Sequence, residues 1–342
     1  MKQYYIIPIF FPNAGCKERC IFCSQKNIIP SNTGKELDIE AQINEYMCTF
    51  PKKAHIEVAF YGGTFTELDL SYQEKLLKKI TPFINKGQIQ GIRISTRPDA
   101  LNDDKIKLLE SLNVKVVELG VQSLSDKVLR NAERGHTVND VINATNSLKK
   151  RNIEIGFQMM VGLPGEDIYL LKKSIKLFIQ LKPDFVRIHP TIVLKGSKLE
   201  KLYEEGKYEP LSLKQAINRS LLYFLAAEKE KIKVARIGLY NSKELQKPGI
   251  IVAGPYHPAF RELVEGEKYY RIITANLGKK IYNNSNLIIY AYSRSISKIC
   301  GQHSCNINRL KKRYKFKFVK VIDNKEADSE ENSLKLQITD IS

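Results

Sequence analysis

No run in this 342-residue sequence approaches the roughly 20 consecutive apolar residues that a membrane-crossing helix needs. The start, Met1-Lys2-Gln3-Tyr4-Tyr5, leads into a short strand-like run interrupted by Pro8 and Pro12 rather than into the apolar core of a secretion signal. A membrane protein and a secreted one are set aside on that basis, and a cytoplasmic location is expected. Internal repeats and low-complexity segments are also missing, so a repeat architecture is not expected. The six cysteines, three of them clustered near the N-terminus, do not make a disulfide framework and suit a reducing compartment. Negative charge is in short supply: 37 Asp and Glu stand against 55 Lys and Arg, a formal net charge of +18. That excess favours an anionic partner such as RNA through counterion release, although lysines spread over solvated helix faces give the same count.

What is present describes a globular protein, 43% hydrophobic and 27% charged, long enough for one large core with an appendage. Apolar β-type runs near residues 4–11, 56–61, 91–95, 114–121, 153–160 and 185–189 alternate with helical patterns near 37–49, 71–84, 103–112, 125–132, 138–151 and 167–181. Ser71-Tyr72-Gln73-Glu74 fits a capping box, and Thr137-Val138-Asn139-Asp140 reads as a helix start. The alternation predicts an α/β fold, a partial (β/α)6 TIM-like barrel with a small C-terminal α+β module. We expect the barrel over residues 1–240, with a further strand-like run at Lys233 to Gly238. A lid and helical extension would occupy 241–280, with Pro248, Gly249, Gly254, Pro255 and Pro258 marking the lid. A small basic module would fill 281–342, and Asp323 to Asn332 reads as a polar hairpin loop.

The first strand runs into Gly15-Cys16-Lys17-Glu18-Arg19-Cys20-Ile21-Phe22-Cys23-Ser24, a C-x3-C-x2-C loop. Three thiolates on one loop can hold three corners of a four-iron cluster and leave the fourth iron open to a substrate. Zinc is the alternative, but a structural zinc takes four protein ligands and no fourth Cys or His lies close by. Each later strand also ends in a marked cluster: Gly62-Gly63-Thr64-Phe65-Thr66, Ser95-Thr96-Arg97-Pro98-Asp99, Gly120-Val121-Gln122-Ser123, Gly162-Leu163-Pro164-Gly165 and His189-Pro190-Thr191. One such cluster is ordinarily a plain βα turn. Six in register point to one pocket at the C-terminal ends of the strands, where barrel enzymes carry their chemistry.

In these motifs the chain resembles the radical S-adenosylmethionine (SAM) superfamily over at least residues 4–200. The resemblance implies a [4Fe-4S] cluster on Cys16, Cys20 and Cys23, with SAM on its open iron, and reductive cleavage of SAM to a 5'-deoxyadenosyl radical. It also implies an electron donor such as flavodoxin or ferredoxin. Phe22 would lie near the adenine, and Gly62-Gly63-Thr64 looks like the glycine motif that meets the methionine amino group. Ser95 stands where relatives often carry a glutamate facing SAM, followed by the Thr96-Arg97-Pro98-Asp99 motif. Gln122 matches a contact to the ribose or carboxylate, and Arg134 an arginine on the SAM carboxylate. Gln158 replaces a common acidic ribose ligand, and Gly162-Leu163-Pro164 resembles the adenine-side turn. Thr96 to Asp99, Glu118 to Ser123, Arg134-Gly135-His136-Thr137-Val138 and Pro190 to Ser197 look like the radical domain of the Elongator catalytic subunit, a tRNA-modifying enzyme. Met159 to Gly165 is similar to oxygen-independent coproporphyrinogen oxidases. The chain departs from the Elongator subunit in showing no acyl-CoA glycine loop, so no acetyltransferase domain is expected. Two functions follow as expectations: a radical enzyme acting on RNA (tRNA), or one acting on a small metabolite as the coproporphyrinogen oxidases do. A zinc-stabilised RNA-binding protein is the alternative from outside enzymology.

Other residues carry weaker signals. Cys300, His303 and Cys305 could ligate zinc or an auxiliary cluster, although such residues are more often buried or incidental. Cys48 fits helix packing. His136 suits a structural hydrogen bond better than acid–base work, His189 sits at a strand end facing the pocket, and His257 lies in the lid. The stretch Arg309 to Lys320 interleaves basic and aromatic side chains, as an RNA surface does, or as an exposed strand with Phe316 and Phe318 turned inward.

Overall fold

The structure, a computed structural model, describes residues 4–12, 14–17, 19–24, 38–51, 53–283, 285–324 and 334–339. Twelve strands occur among these residues: β1 (Tyr4–Phe10), β2 (His55–Tyr61), β3 (Gly91–Thr96), β4 (Val114–Gln122), β5 (Glu154–Val161), β6 (Phe185–Pro190), β7 (Val193–Leu194), β8 (Lys233–Ile237), β9 (Ile251–Ala253), β10 (Asn286–Ala291), β11 (Phe318–Asp323) and β12 (Lys335–Thr339). Strands β1 to β6 and then β8 lie side by side in that order in one seven-stranded sheet. Every pairing in it is parallel. The expected partial barrel is therefore present, with the run after residue 232 adding a seventh strand.

Helices connect the strands, and the sequence explains where they begin. Thr137 and Asp140 form a reciprocal capping box on the helix Val138–Lys149. Asp38, Asn102 and Asp167 accept from backbone N–H groups at the starts of Ile39–Thr49, Asp103–Ser111 and Ile168–Leu181. The outward strand face is apolar: Val58, Phe60, Ile94, Val117, Leu119, Phe157 and Ile188 are buried beneath the helices. The inward face is polar, carrying Glu57, Tyr61, Arg93, Glu118, Gln158 and Arg187. Gly156 leaves room for the Phe185 ring to lie across the lumen, since a Cβ there would stand 2.1 Å from a ring carbon. β1 and β8 are the two edges of this sheet. At their first residues they meet through side chains, with Lys233 Nζ 5.7 Å from the centre of the Tyr4 ring.

The chain divides into two compact units, residues 1–216 with 222–256, and residues 217–221 with 257–342. The boundaries expected from sequence fall at 240/241 and 280/281, so the two partitions differ over 217–221 and 241–280. Within the first unit, part of the expected lid is pinned as β9, antiparallel to β7, with Ile192, Leu194 and Leu245 buried around it. Within the second, the helix Phe260–Leu277 supplies Tyr269, Tyr270 and Ile273 to a core shared with Leu287, Ile289, Leu310 and Tyr314. An amphipathic stripe shows that a helix face is covered without showing by what, which is why that helix reads in sequence as an extension. The second unit's sheet has the order β11-β10-β12. Phe316 is buried and stacks on Tyr282, whereas Phe318 is 45% exposed, so the two phenylalanines do not share one inward face. Positions 325–332 of the expected hairpin loop and residue 37 of the first expected helix lie outside the described residues. Among the described residues no helix is long and apolar enough to cross a membrane.

Candidate active site at the C-terminal ends of the barrel strands

The cysteine loop is held by a backbone interlock with the loop after β2. Thr64 N donates to Ala14 O at 2.9 Å. A Cβ on Gly63 would fall 2.2 Å from Ala14 O, and one on Gly15, whose φ is +70°, 2.3 Å from Thr64 O. Both approaches require glycine, because no side chain fits between two backbones at that distance. The interlock brings Cys16 Sγ to 3.4 Å from Thr64 Oγ1. On the far side of the loop, Ile21 N donates to Ala132 O at 3.3 Å and Cys23 N to Cys20 O at 3.0 Å. Phe22 packs between Val128, Ala132, Met160 and Leu163 on one side and Ile21, Val193, Leu199 and Tyr208 on the other.

Arg134 joins two of the predicted positions. Its Nη1 donates to Cys20 Sγ at 2.8 Å and its Nη2 to Gly120 O at 2.6 Å. Arg134 Nε and Ser95 Oγ are buried without a protein partner, so a polar ligand in this pocket would satisfy them. Gln122 is buried with φ +65°, at a register shift between β4 and β5. Arg97 makes a two-pronged pair with Asp99 at 2.9 and 2.6 Å. Burial alone would raise the Asp99 carboxyl, but the Arg97 hydrogen bonds and charge outweigh it and hold the group below the usual carboxylate range. Gly162 N donates to Glu166 Oε1 at 2.8 Å, and Gly162 O accepts from Tyr208 at 2.7 Å. Gln158 is turned down the lumen onto Glu118 Oε2 at 3.4 Å.

Among the described residues no three His, Cys, Asp or Glu side chains are drawn together as a metal site. Cys16, Cys20 and Cys23 thus share a loop while Cys16 and Cys20 sit on separate partners, and no disulfide ties up any of the six cysteines. The donor set nevertheless fits an iron–sulfur cluster, being three thiols on one loop whose backbone is locked against the turn after β2. Cys300, His303 and Cys305 are likewise not assembled. Cys305 is exposed, and burial pushes the Cys300 thiol up, away from the thiolate a metal needs.

The histidines behave as the sequence reading favours for His136. Its Nε2 lies 3.3 Å from Val121 O, and burial, then Arg134, lowers its pKa to about 4. His189 Nδ1 lies 3.0 Å from Gly238 O, with its pKa lowered to about 4 by burial and then by Arg187. Both rings are therefore neutral near pH 7.

Sequence reasoning missed the network beneath the pocket. Glu118, fully buried, accepts from Arg93, Arg187 and Tyr61 at 3.0, 2.7 and 2.8 Å, and Arg93 also pairs with Glu57 at 2.9 Å. Strand parity would have found it, because Arg93 and Glu118 sit two positions before the pocket residues Ser95 and Gly120 and so face the same way.

A half-barrel of parallel strands, with a three-cysteine loop after the first and polar groups on the later strand ends, is the layout of a barrel enzyme with its site at the barrel mouth. Residues 11–178 match the family model described as the radical SAM superfamily, and residues 183–270 match that of the radical SAM C-terminal domain. The chain belongs to the radical SAM superfamily and is an enzyme of it.

Among its relatives is the tRNA uridine(34) acetyltransferase of Methanocaldococcus jannaschii, 30% identical over 239 residues, 58% of this chain and 44% of that protein. The protein of the same name from Methanocaldococcus infernus is 28% identical over 253 residues, 62% of this chain and 47% of that one. Another M. jannaschii protein, named Uncharacterized protein MJ0486, is 33% identical over 230 residues, 64% of this chain and 70% of its own length. The chain thus spans less than half the length of the two acetyltransferases it matches. In fold it is similar to the archaeal M. infernus Elp3 solved with its N-terminus deleted, with a TM-score of 0.63 and 24% identity over 80% of this chain and 64% of that one. The Elongator-like motifs thus sit on an Elongator-like barrel.

Proposed function

We propose that this chain binds a [4Fe-4S] cluster on Cys16, Cys20 and Cys23 and SAM beside it, and that it modifies RNA, with tRNA the first substrate to test. The observation that carries the cofactor reading is the interlock of the cysteine loop with Gly63-Thr64, which puts the two halves of the expected site in backbone contact. When bound, the pair supplies reductive cleavage of the SAM sulfonium to a 5'-deoxyadenosyl radical, drawing its electron from a donor such as flavodoxin or ferredoxin.

The chain's own residues position and shield. Arg134 holds the Cys20 sulfur and has one buried N–H left for the SAM carboxylate. Gly62, Gly63 and Thr64 offer backbone to the amino group, and Phe22 and Gly162 wall the adenine side. Ser95, Arg97, Gln122 and Gln158 complete the polar lining. The RNA reading is supported by relatives named for tRNA uridine 34 that align over 239 and 253 residues, and by the charge of +18. A cytoplasmic location is part of the same reading.

Binding of bulk tRNA to the full chain should weaken along a straight line in log salt, by about tenfold or more between 50 and 200 mM. A weak response that does not change with salt would contradict the RNA reading and leave a small-metabolite substrate.

A further inference from the structure

The lumen network balances its own charges except at one place. Glu57 and Glu118 are matched by Arg93 and Arg187. Arg236, on β8, is the Cα register partner of Arg187 on β6 and so adds a third guanidinium to the same face. It is half-buried, with its guanidinium carbon 5.3 Å from the centre of the Tyr240 ring. Among the described residues no carboxylate lies in ion-pair contact with its guanidinium and no side-chain hydrogen bond engages it, while Glu118, already held by Arg93 and Arg187, acts on it only through its charge. Burial, and then the charge of Arg187, hold its pKa below the ordinary arginine value. A half-buried cation beside a like charge is costly unless an anion joins it.

Its position says where the anion would come from. β8 is an edge of the barrel sheet, and Arg236 lies one residue from the strand's C-terminal end, at the same end as the candidate active site. β1 and β8 are the two unpaired edges of the sheet and meet at their N-terminal ends through Lys233 over Tyr4. Around it stand His189, neutral and held on Gly238 O, and Tyr240, 65% exposed. Arg187 already gives its Nε and Nη2 to Glu118, which fixes it as the rear wall.

We propose that Arg236, backed by Arg187, is a substrate-anion site at the open lip of the barrel and takes a backbone phosphate next to the nucleotide presented to the active site. This rests on the RNA reading above. A guanidinium fork suits phosphate oxygens, and Tyr240 offers an exposed ring face beside it for a base.

The test compares the full-length chain with Arg236→Gln and with the surface control Lys229→Gln, which removes the same charge elsewhere. Thermal unfolding is followed with inorganic phosphate replacing chloride at fixed ionic strength, and bulk tRNA binding across a salt series. Phosphate should raise the Tm of the wild type and of the Lys229 variant but not of Arg236→Gln. Affinity for tRNA should fall about tenfold in Arg236→Gln, with the salt slope lower by about one. Equal phosphate stabilisation in all three, or in none, would overturn the proposal, as would tRNA affinity unchanged by Arg236→Gln. Should phosphate stabilise only through Arg236 while the wild type binds no tRNA, the anion site stands for a smaller phosphorylated substrate and the RNA reading falls.

Discussion

Replacing Glu118 by Gln should destabilise the barrel by about 3–5 kcal/mol, because it leaves buried guanidinium groups without their counter-charge. The side chain is fully buried and both its oxygens are used, by Arg93, Arg187 and Tyr61 on one and by Arg187 and Gln158 on the other. With that charge gone, Arg93 would keep only Glu57, and Arg187 would lose its one carboxylate among the described residues. Urea unfolding of the two proteins side by side measures the difference. The same group sets an acid limit. Burial works to raise the Glu118 carboxyl, but the charge and hydrogen bonds of Arg187, then Arg93, bring it below the usual glutamate range. A depressed folded-state pKa stabilises the fold above the unfolded value of about 4.3, and that stability drains away as pH falls further. The wild type should therefore lose stability below about pH 4 more steeply than Glu118→Gln. Parallel acid profiles would show that Glu118 is not held charged by its neighbours.

A single methyl group at Gly63 should remove most of the cofactor-binding capacity while leaving the fold in place. The new Cβ would meet Ala14 O at 2.2 Å, with Ala14 N and Phe11 O each at 3.0 Å, all backbone atoms that cannot rotate away. Relief requires the cysteine loop to move off the Gly62-Gly63-Thr64 turn, breaking the Thr64 N to Ala14 O bond and the contact of Cys16 with Thr64. Disturbing the groups that orient metal ligands costs about 10–100-fold in metal retention, so iron recovered after anaerobic reconstitution should drop accordingly. Gly206→Ala is the control. Gly206, whose φ is +68°, has open space where its Cβ would go, so this variant should keep its iron. Circular dichroism confirms that both remain folded.

The barrel was legible because parallel strands buried under helices read as short apolar runs, and because each run ends in turn residues that no helix would keep. Cys16, Cys20 and Cys23 were visible for a similar reason, since ligand spacing within one loop is a property of sequence alone. The lumen was harder. Arg93, Glu118 and Arg187 are 25 and 69 residues apart in sequence and meet only because β3, β4, β5 and β6 are neighbours in register. Arg134 was found only as a family position, and its contact with the Cys20 sulfur depends on the turn Ala132-Glu133-Arg134 folding back against the loop. Phe318 illustrates a different failure: simple alternation pairs it with Phe316, but β11 begins only at Phe318, so the two do not share a strand. The helix Phe260–Leu277 showed its apolar stripe without showing which core would receive it.

The central claim is that the cysteine loop carries a cluster that cleaves SAM. It is tested most directly by incubating anaerobically reconstituted protein with dithionite and SAM and measuring 5'-deoxyadenosine, alongside iron and sulfide, for the wild type and for the combined Cys16→Ala, Cys20→Ala, Cys23→Ala variant. The account predicts about four iron and four sulfide per chain with 5'-deoxyadenosine formed by the wild type, and neither in the variant. A variant that keeps its cluster, or a wild type that holds four iron and forms no 5'-deoxyadenosine, would contradict it.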